Sequence, residues 1–405
     1  VLVIAGIIIR PLKLSEAIWA AAGAVLLVVL GLLSFHDAIL GVKKGIDVYL
    51  FLLGMMLLAE TAREEKLFDW LAAHTTLSAK GSPKRLFLLI YISGILVTAF
   101  LSNDATAVVL TPAVAAAVKT AKSKNPLSYL FIGAFVANAA SFILPISNPA
   151  NLVIYNSRMP PLALWISTYG LPSVAAITAT FFLLYWTQKK KLIHPIEKDL
   201  TIPKLTYGGR TALIGIATTV VVLLICSVMD IPLGLPTAIT GIITSLVVLI
   251  LSKKNPLMII KGVSWSVIPF VAGLFVIVEA LDKTGLTGLI SAWLYHQSGI
   301  SVTRTAWNSG LITAFGSNIL NNLPAGLIAA NAVQAAHVPG IVRSSVLLGV
   351  DLGPNLSVTG SLATILWLIA LRREGLPVNA WTFLKTGVIV MIPALLFTLA
   401  TLWIL

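Results

Sequence analysis

Run after run of about 20 residues poor in ionisable side chains, each long enough to cross a bilayer as a helix, constrains this chain more than anything else in its sequence. The runs occupy 16 to 35, 46 to 62, 128 to 157, 162 to 186, 211 to 229, 235 to 251, 264 to 281, 341 to 371 and 382 to 404, with a short one at 1 to 9. Of the 405 residues 58% are hydrophobic and 11% charged, against roughly 25% charged in a soluble domain. A soluble fold is excluded. The expectation is an all-α polytopic membrane protein of about ten transmembrane helices, working in or across lipid.

The formal net charge of +13 would suggest nucleic acid in a soluble protein, but here Lys and Arg concentrate in short connections, as cytoplasmic loops require. The longest polar segment, 188 to 210, carries Lys189, Lys190, Lys191, Lys198 and Lys204 and reads as a cytoplasmic linker. Counting spans from it places Lys253, Lys254, Arg372 and Arg373 in the cytoplasm as well, and Lys43 and Lys44 outside, against the trend. The single cysteine, Cys226, sits in an apolar run, so a disulfide framework or multi-thiol metal site is excluded within the chain. The opening VLVIAGIIIRP lacks a basic start and a cleavage site, and reads as a helix entered partway along.

Two stretches, 86 to 118 and 305 to 336, are too long for one ordinary span and too short for two. Each has a polar interruption, LSND at 101 to 104 and LNN at 320 to 322. The first is flanked by Lys84 and Arg85 on one side and by Lys119, Lys122 and Lys124 on the other, so both ends face the cytoplasm. A re-entrant hairpin with a protein-buried tip satisfies these constraints. The two halves also repeat. Arg10 onward resembles Ile231 onward, ETAREEKL from Glu60 matches EALDKTGL from Glu279, and Asn103–Asp104 fall opposite Asn321–Asn322. Five spans per half invert the second half relative to the first. The expected units are 1–187, with hairpin 86–118 and broken helix 128–157, then the linker 188–210, then 211–405, with hairpin 305–336 and broken helix 341–371. By this repeat the first helix starts about ten residues before Val1.

Ionisable residues inside spans are functional candidates, because insertion costs on the order of 2.5–3.5 kcal/mol. Asp104 at the first tip and Asp351 in the last broken span qualify best, although Asp351 also reads as a helix cap before Leu-Gly-Pro. Glu60 and Glu279 lie near helix ends and read as structural. Two spans are interrupted, by SNPAN at 147 to 151 and SVTGS at 357 to 361. Paired tips and paired breaks converge on one midplane site of Asn103, Asp104, Ser147, Asn148, Asn151, Asn321, Asn322, Thr359 and Ser361. Taken singly, such residues serve as inter-helix glue. The five histidines form no two-His helical pair, and neither a phosphate loop nor an Asp-rich diphosphate motif is present, so the chain reads as a non-enzyme that uses no cofactor or metal.

FLSNDATAVVLTP, ISNPANLVIY, ILNNLPAGL and GVDLGPNLSVTGSLATILWL closely resemble the ArsB family of arsenite efflux permeases, within the ion transporter superfamily. The resemblance implies export of arsenite and antimonite from the cell across the plasma (inner) membrane, driven by protons or by a soluble arsenite-stimulated ATPase subunit. It also implies a scaffold and a mobile body built from inverted repeats. Asn355 stands where some members carry a basic residue. Arsenite at neutral pH is an uncharged trihydroxide, which Asn, Ser and Thr can hold without a buried cation. Asp104, then Asp351, are the expected proton carriers. A Na⁺/H⁺ antiporter or carboxylate carrier of the same superfamily is the alternative, and an intramembrane enzyme fits less well.

Overall fold

The computed structural model describes residues 15–155, 159–197, 204–229, 231–376 and 378–404. The short apolar run at 1 to 9, Arg10 and Lys198 lie outside the described residues. The first half comprises α1 (Glu16–Val29), α2 (Phe35–Lys44), α3 (Ile46–Glu64), α4 (Leu67–Ser78), α5 (Pro83–Phe100), α6 (Thr111–Thr120), α7 (Pro126–Ala139), α8 (Pro149–Tyr155) and α9 (Leu162–Gln188). A single turn, Asn103–Ala105, and a π-helical stretch, Thr106–Leu110, run into α6. The second half comprises α10 (Tyr207–Val228), α11 (Gly234–Ser252), α12 (Pro256–Gly262), α13 (Val267–Lys283), α14 (Leu286–Ile300), α15 (Val302–Leu320), α16 (Asn322–Ala336), α17 (Gly340–Leu352), α18 (Leu362–Arg373) and α19 (Ala380–Thr401).

Among the described residues five helices, together with α12 and α13 taken as one span, are long and apolar enough to cross a membrane, and α2 with α3, bent by 48°, makes a seventh. The stretches expected as broken helices are each interrupted, as the pairs α7–α8 and α17–α18. The chain is a multi-pass membrane protein. Its element order recurs: α1 to α9 match α11 to α19 in turn, with a short helix, a two-armed hairpin and a broken helix in each half. The backbone repeats at finer grain, since the unusual positive-φ residues Lys66, Ser102 and Lys122 have positive-φ counterparts in Gly285, Asn321 and His337.

Small residues set the helix contacts, as expected where lipid gives helices no hydrophobic reason to associate and packing must supply it. Gly54 of α3 lies against the backbone of Thr237 in α11, and Gly241 of α11 against the carbonyl of Gly54. The repeat-related crossing puts Gly273 of α13 against the backbone of Ala20 in α1. A methyl group at any of these would meet main chain. One hydroxyl pair, Thr61 and Ser245 at 2.8 Å, bonds across the first crossing.

Three findings differ from the sequence-based expectation. The hairpin arms extend to 83–120 and 302–336, because Ser82 and Ser301 cap them earlier, accepting from the amides of Arg85 and Arg304. Short helices α4 and α14 precede the hairpins, where mixed composition shows no apolar run. The two tips align Ser102 with Asn321 and Asn103 with Asn322, one position from the sequence alignment, so the counterpart of Asp104 is Leu323. Matching Asn to Asn obscures what the strained backbone fixes.

The linker docks under the first hairpin. Ile196 donates to the carbonyl of Gly81 at 3.2 Å and Glu197 to that of Ala121 at 3.0 Å, so one segment holds both hairpin ends. Asn125 Nδ2 adds a bond to the Lys191 carbonyl at 2.9 Å. Beneath the breaks sits an aromatic base of Phe131, Phe135, Trp367 and Phe383, with Phe135 and Phe383 stacked at 5.2 Å. Trp367 Nε1 donates to the Leu130 carbonyl at 2.8 Å, which ties α18 to α7 at membrane depth.

Candidate functional site

Each hairpin reverses at a non-glycine residue in a region normally left to glycine: Ser102 at φ 142° and Asn321 at φ 75°. Such conformations cost on the order of 1–3 kcal/mol and persist where surrounding structure imposes them. Here the side chains replace lost helix bonds, Ser102 Oγ accepting from the Ala105 amide at 3.4 Å and Asn321 Oδ1 from the Leu323 amide at 3.5 Å.

The helix breaks lie beside the tips. Ser147 Oγ donates to the carbonyl of Ala99, at the end of the first hairpin arm, at 3.1 Å. The Asn322 amide donates to the Gly360 carbonyl at 2.9 Å, and Asn321 Nδ2 to that of Thr359 at 3.3 Å. The breaks are also bonded to each other. Asn148 Nδ2 donates to Asp351 Oδ1 at 2.8 Å, and Ser361 Oγ to Asn138 Oδ1 at 3.1 Å. Both pairs join residues of opposite halves, and 213 positions separate Asn148 from Ser361 and Asn138 from Asp351. They are one interaction made twice, with a carboxyl on one side and an amide on the other.

Seven of the nine residues expected at the site take part in bonds at the tips and breaks, in different roles, whereas the side chains of Asn103 and Asp104 make none among the described residues. Ser147 and Ser361 are fully engaged there, and Asn151 Nδ2 binds the carbonyls of Ser141 and Pro145 at 2.9 and 3.3 Å. Thr359 Oγ1 donates to the Asn318 carbonyl at 3.1 Å. Asp104 has no hydrogen bond among the described residues and faces a cavity it shares with Ser102, Glu60 and Ser264. Asp351 ends α17 and precedes a 3₁₀ turn, Gly353–Leu356, so it does not cap a following helix. Four buried oxygens of the region find no donor among the described residues: Asn103 Oδ1, Asn151 Oδ1, Asn322 Oδ1 and Asp351 Oδ2. All four accept hydrogen bonds, and leaving such a group unpaired costs about 1–3 kcal/mol.

Sequence reasoning missed Asn138 and Asn318, and it noted Asn355 without placing it in the site. Asn138 Nδ2 donates to Asn355 Oδ1 at 3.0 Å, Asn355 Nδ2 to the Phe135 carbonyl at 3.1 Å, and Asn318 Nδ2 to the Gly353 carbonyl at 3.0 Å. The spacing of Asp351 from Asn138, equal to that of Ser361 from Asn148, was the available signal. Glu60 and Glu279, expected to be structural, form ion pairs: Glu60 with Arg63 of its own helix and Glu279 with Lys44 of the other half, each at 2.5 Å.

Residues 3–350 match the citrate transporter family, CitMHS. The chain belongs to this family. Among its relatives is the "Arsenical pump membrane protein" of Escherichia coli K12, 28% identical over 417 residues, covering 99% of this chain and 96% of the relative. That of Yersinia enterocolitica is 28% identical over 353 residues, covering 84% and 82%. The "Putative arsenical pump membrane protein" of Bacillus subtilis is 25% identical over 421 residues, covering 97% and 95%. These names agree with the resemblance that the hairpin and break motifs carry. In fold the chain is similar to the YdaH transporter of Alcanivorax borkumensis, at a TM-score of 0.55 and 14% identity, covering 91% of this chain and 87% of that one. This family member is a membrane transporter, and its relatives are transporters rather than enzymes.

Proposed function

We propose that this transporter exports arsenite and antimonite across the plasma membrane as neutral trihydroxides, in exchange for protons. The observation that carries the reading is the set of four buried acceptor oxygens, from Asn103, Asn151, Asn322 and Asp351, which find no donor, Lys and Arg included, among the described residues. A trihydroxide supplies three O–H donors and no charge. The names of the curated relatives support the same substrate.

In this reading Asn103, Asp104, Ser147, Asn148, Asn151, Asn321, Asn322, Thr359 and Ser361 form the substrate region. Some of them touch substrate and others, such as Ser147 and Ser361, hold the breaks in place. Asp104 carries the proton, with Asp351 second, since intramembrane carboxylates typically serve proton relays. The units 1–187 and 211–405 act as inverted repeats, and the hairpins with the broken helices move as one body against the other helices. The linker 188–210, with Lys189, Lys190 and Lys191 at its start, offers a soluble ATPase subunit a place to dock, but proton exchange requires none.

The family's description favours a second reading, a carboxylate carrier. Citrate would need cationic compensation at the tips, and the site residues include none. Counterflow of labelled arsenite in proteoliposomes, without any imposed gradient, separates the two. Exchange driven by internal arsenite or antimonite and not by citrate is expected; exchange driven by citrate alone would overturn the proposal.

A further inference from the structure

Two cavities in this protein are related by the repeat but differ in reach. The first lies between α3, the α12–α13 junction and the first tip, and Ala59, Glu60 and Val108 line it. Their counterparts 219 positions on, Val278, Glu279 and Leu327, line the second. The first cavity reaches Ser102 and Asp104. The counterparts of those residues, Asn321 and Leu323, do not line the second.

The cavities lie toward opposite ends of α3. Glu60 sits one turn from Glu65, whose Oε2 accepts from Thr206 at the end of the linker at 3.0 Å and whose Oε1 pairs with Lys254 at 2.9 Å, so the first cavity belongs to the linker side. Lys44 lies beyond the other end of α3, a 19-residue helix about 28 Å long. Each glutamate rests against a glycine of the opposite half, Glu60 by its carboxylate on Gly262 and Glu279 by its Cβ on Gly41. Their ionic partners differ. Arg63 holds Glu60 and Glu64 from the same helix and pairs with no residue of the other half among the described residues, whereas Lys44 joins Glu279 across the two halves at 2.5 Å.

We infer that the Lys44–Glu279 ion pair is the latch of the far access path, closed in this conformation while the path past Glu60 to Asp104 is open to the linker side. Both partners belong to helices outside the moving body, so the latch opens by the two side chains parting over the far cavity that both line. The inference rests on the transport reading above, but not on arsenite as the substrate.

Cysteine labelling tests it in a Cys226→Ser background, with a membrane-impermeant maleimide applied to vesicles of known orientation. Asn331→Cys reports the far cavity and Ser264→Cys the near one. Either Glu279→Gln or Lys44→Met is expected to raise far-side labelling of Asn331→Cys about threefold or more and to lower linker-side labelling of Ser264→Cys. The exchanged pair, Lys44→Glu with Glu279→Lys, is expected to restore both rates, which a folding defect would not allow. Unchanged labelling in correctly inserted variants, or an exchanged pair that fails to restore it, would overturn the latch. Altered labelling in a protein that does not move arsenite would uphold the latch and refute the substrate.

Discussion

The two hairpin tips share a backbone but not a chemistry. Both reverse at a strained polar residue, Ser102 or Asn321, and both next present an asparagine whose carbonyl oxygen lacks a donor among the described residues. The second tip is tied to its helix break through Asn322 and Asn321 and continues into Leu323. The first continues into Asp104, which faces a cavity. The breaks differ in the same way, Asp351 facing Asn148 where Asn138 faces Ser361. A duplicated fold thus supplies matched neutral groups from both sides, and the single-copy carboxyls are where the proposed function places coupling.

Substitutions at the unmatched positions break this comparison most severely. Asp104→Asn keeps the shape and removes the titrating group, so gradient-driven accumulation is expected to fall about tenfold or more while counterflow persists. Proton-coupled flux at the normal rate would remove Asp104 from the mechanism. Asp351→Asn leaves an acceptor for Asn148 Nδ2 and makes the two break pairs chemically alike; a loss of about fivefold in accumulation is expected, with folding intact. A larger loss than that of Asp104→Asn would exchange the two assignments.

The matched positions should respond equally. Asn103→Ala and Asn322→Ala each remove one acceptor, and each is expected to weaken arsenite binding by about 1 kcal/mol, roughly fivefold, in an equilibrium assay. Unequal effects would mean that one tip binds and the other only supports. The smallest effect is expected at Ser361→Ala, which removes the donor to Asn138 and the cap on the Thr364 amide. Its thermal midpoint in detergent should drop by an amount worth about 1 kcal/mol, with transport retained.

Much of this architecture is legible in the amino-acid sequence. Polar residues are costly at membrane depth, so LSND, SNPAN, LNN and SVTGS mark themselves as tips and breaks, and the paired Glu60 and Glu279 segments announce the duplication. The tip register is misplaced by one position because identity of Asn to Asn outweighs backbone conformation, which sequence does not display. Helices α4 and α14 escape notice because His74, Thr75 and Thr76, or Tyr295, His296 and Gln297, break up their apolar pattern. Asn138 and Asn355 are lone amides in apolar runs, and what they bond to depends on how the two halves face each other. The same dependence hides the partner of Lys44, a residue whose charge runs against the trend of the other loops.

Accumulation of arsenite in proteoliposomes containing only this protein, with and without an imposed pH gradient, tests the central claim most directly. Uptake against the arsenite gradient when the proton gradient is present, and its loss when that gradient is collapsed, are predicted. Folded, correctly inserted protein that exchanges arsenite but accumulates none under the gradient would contradict proton coupling through Asp104.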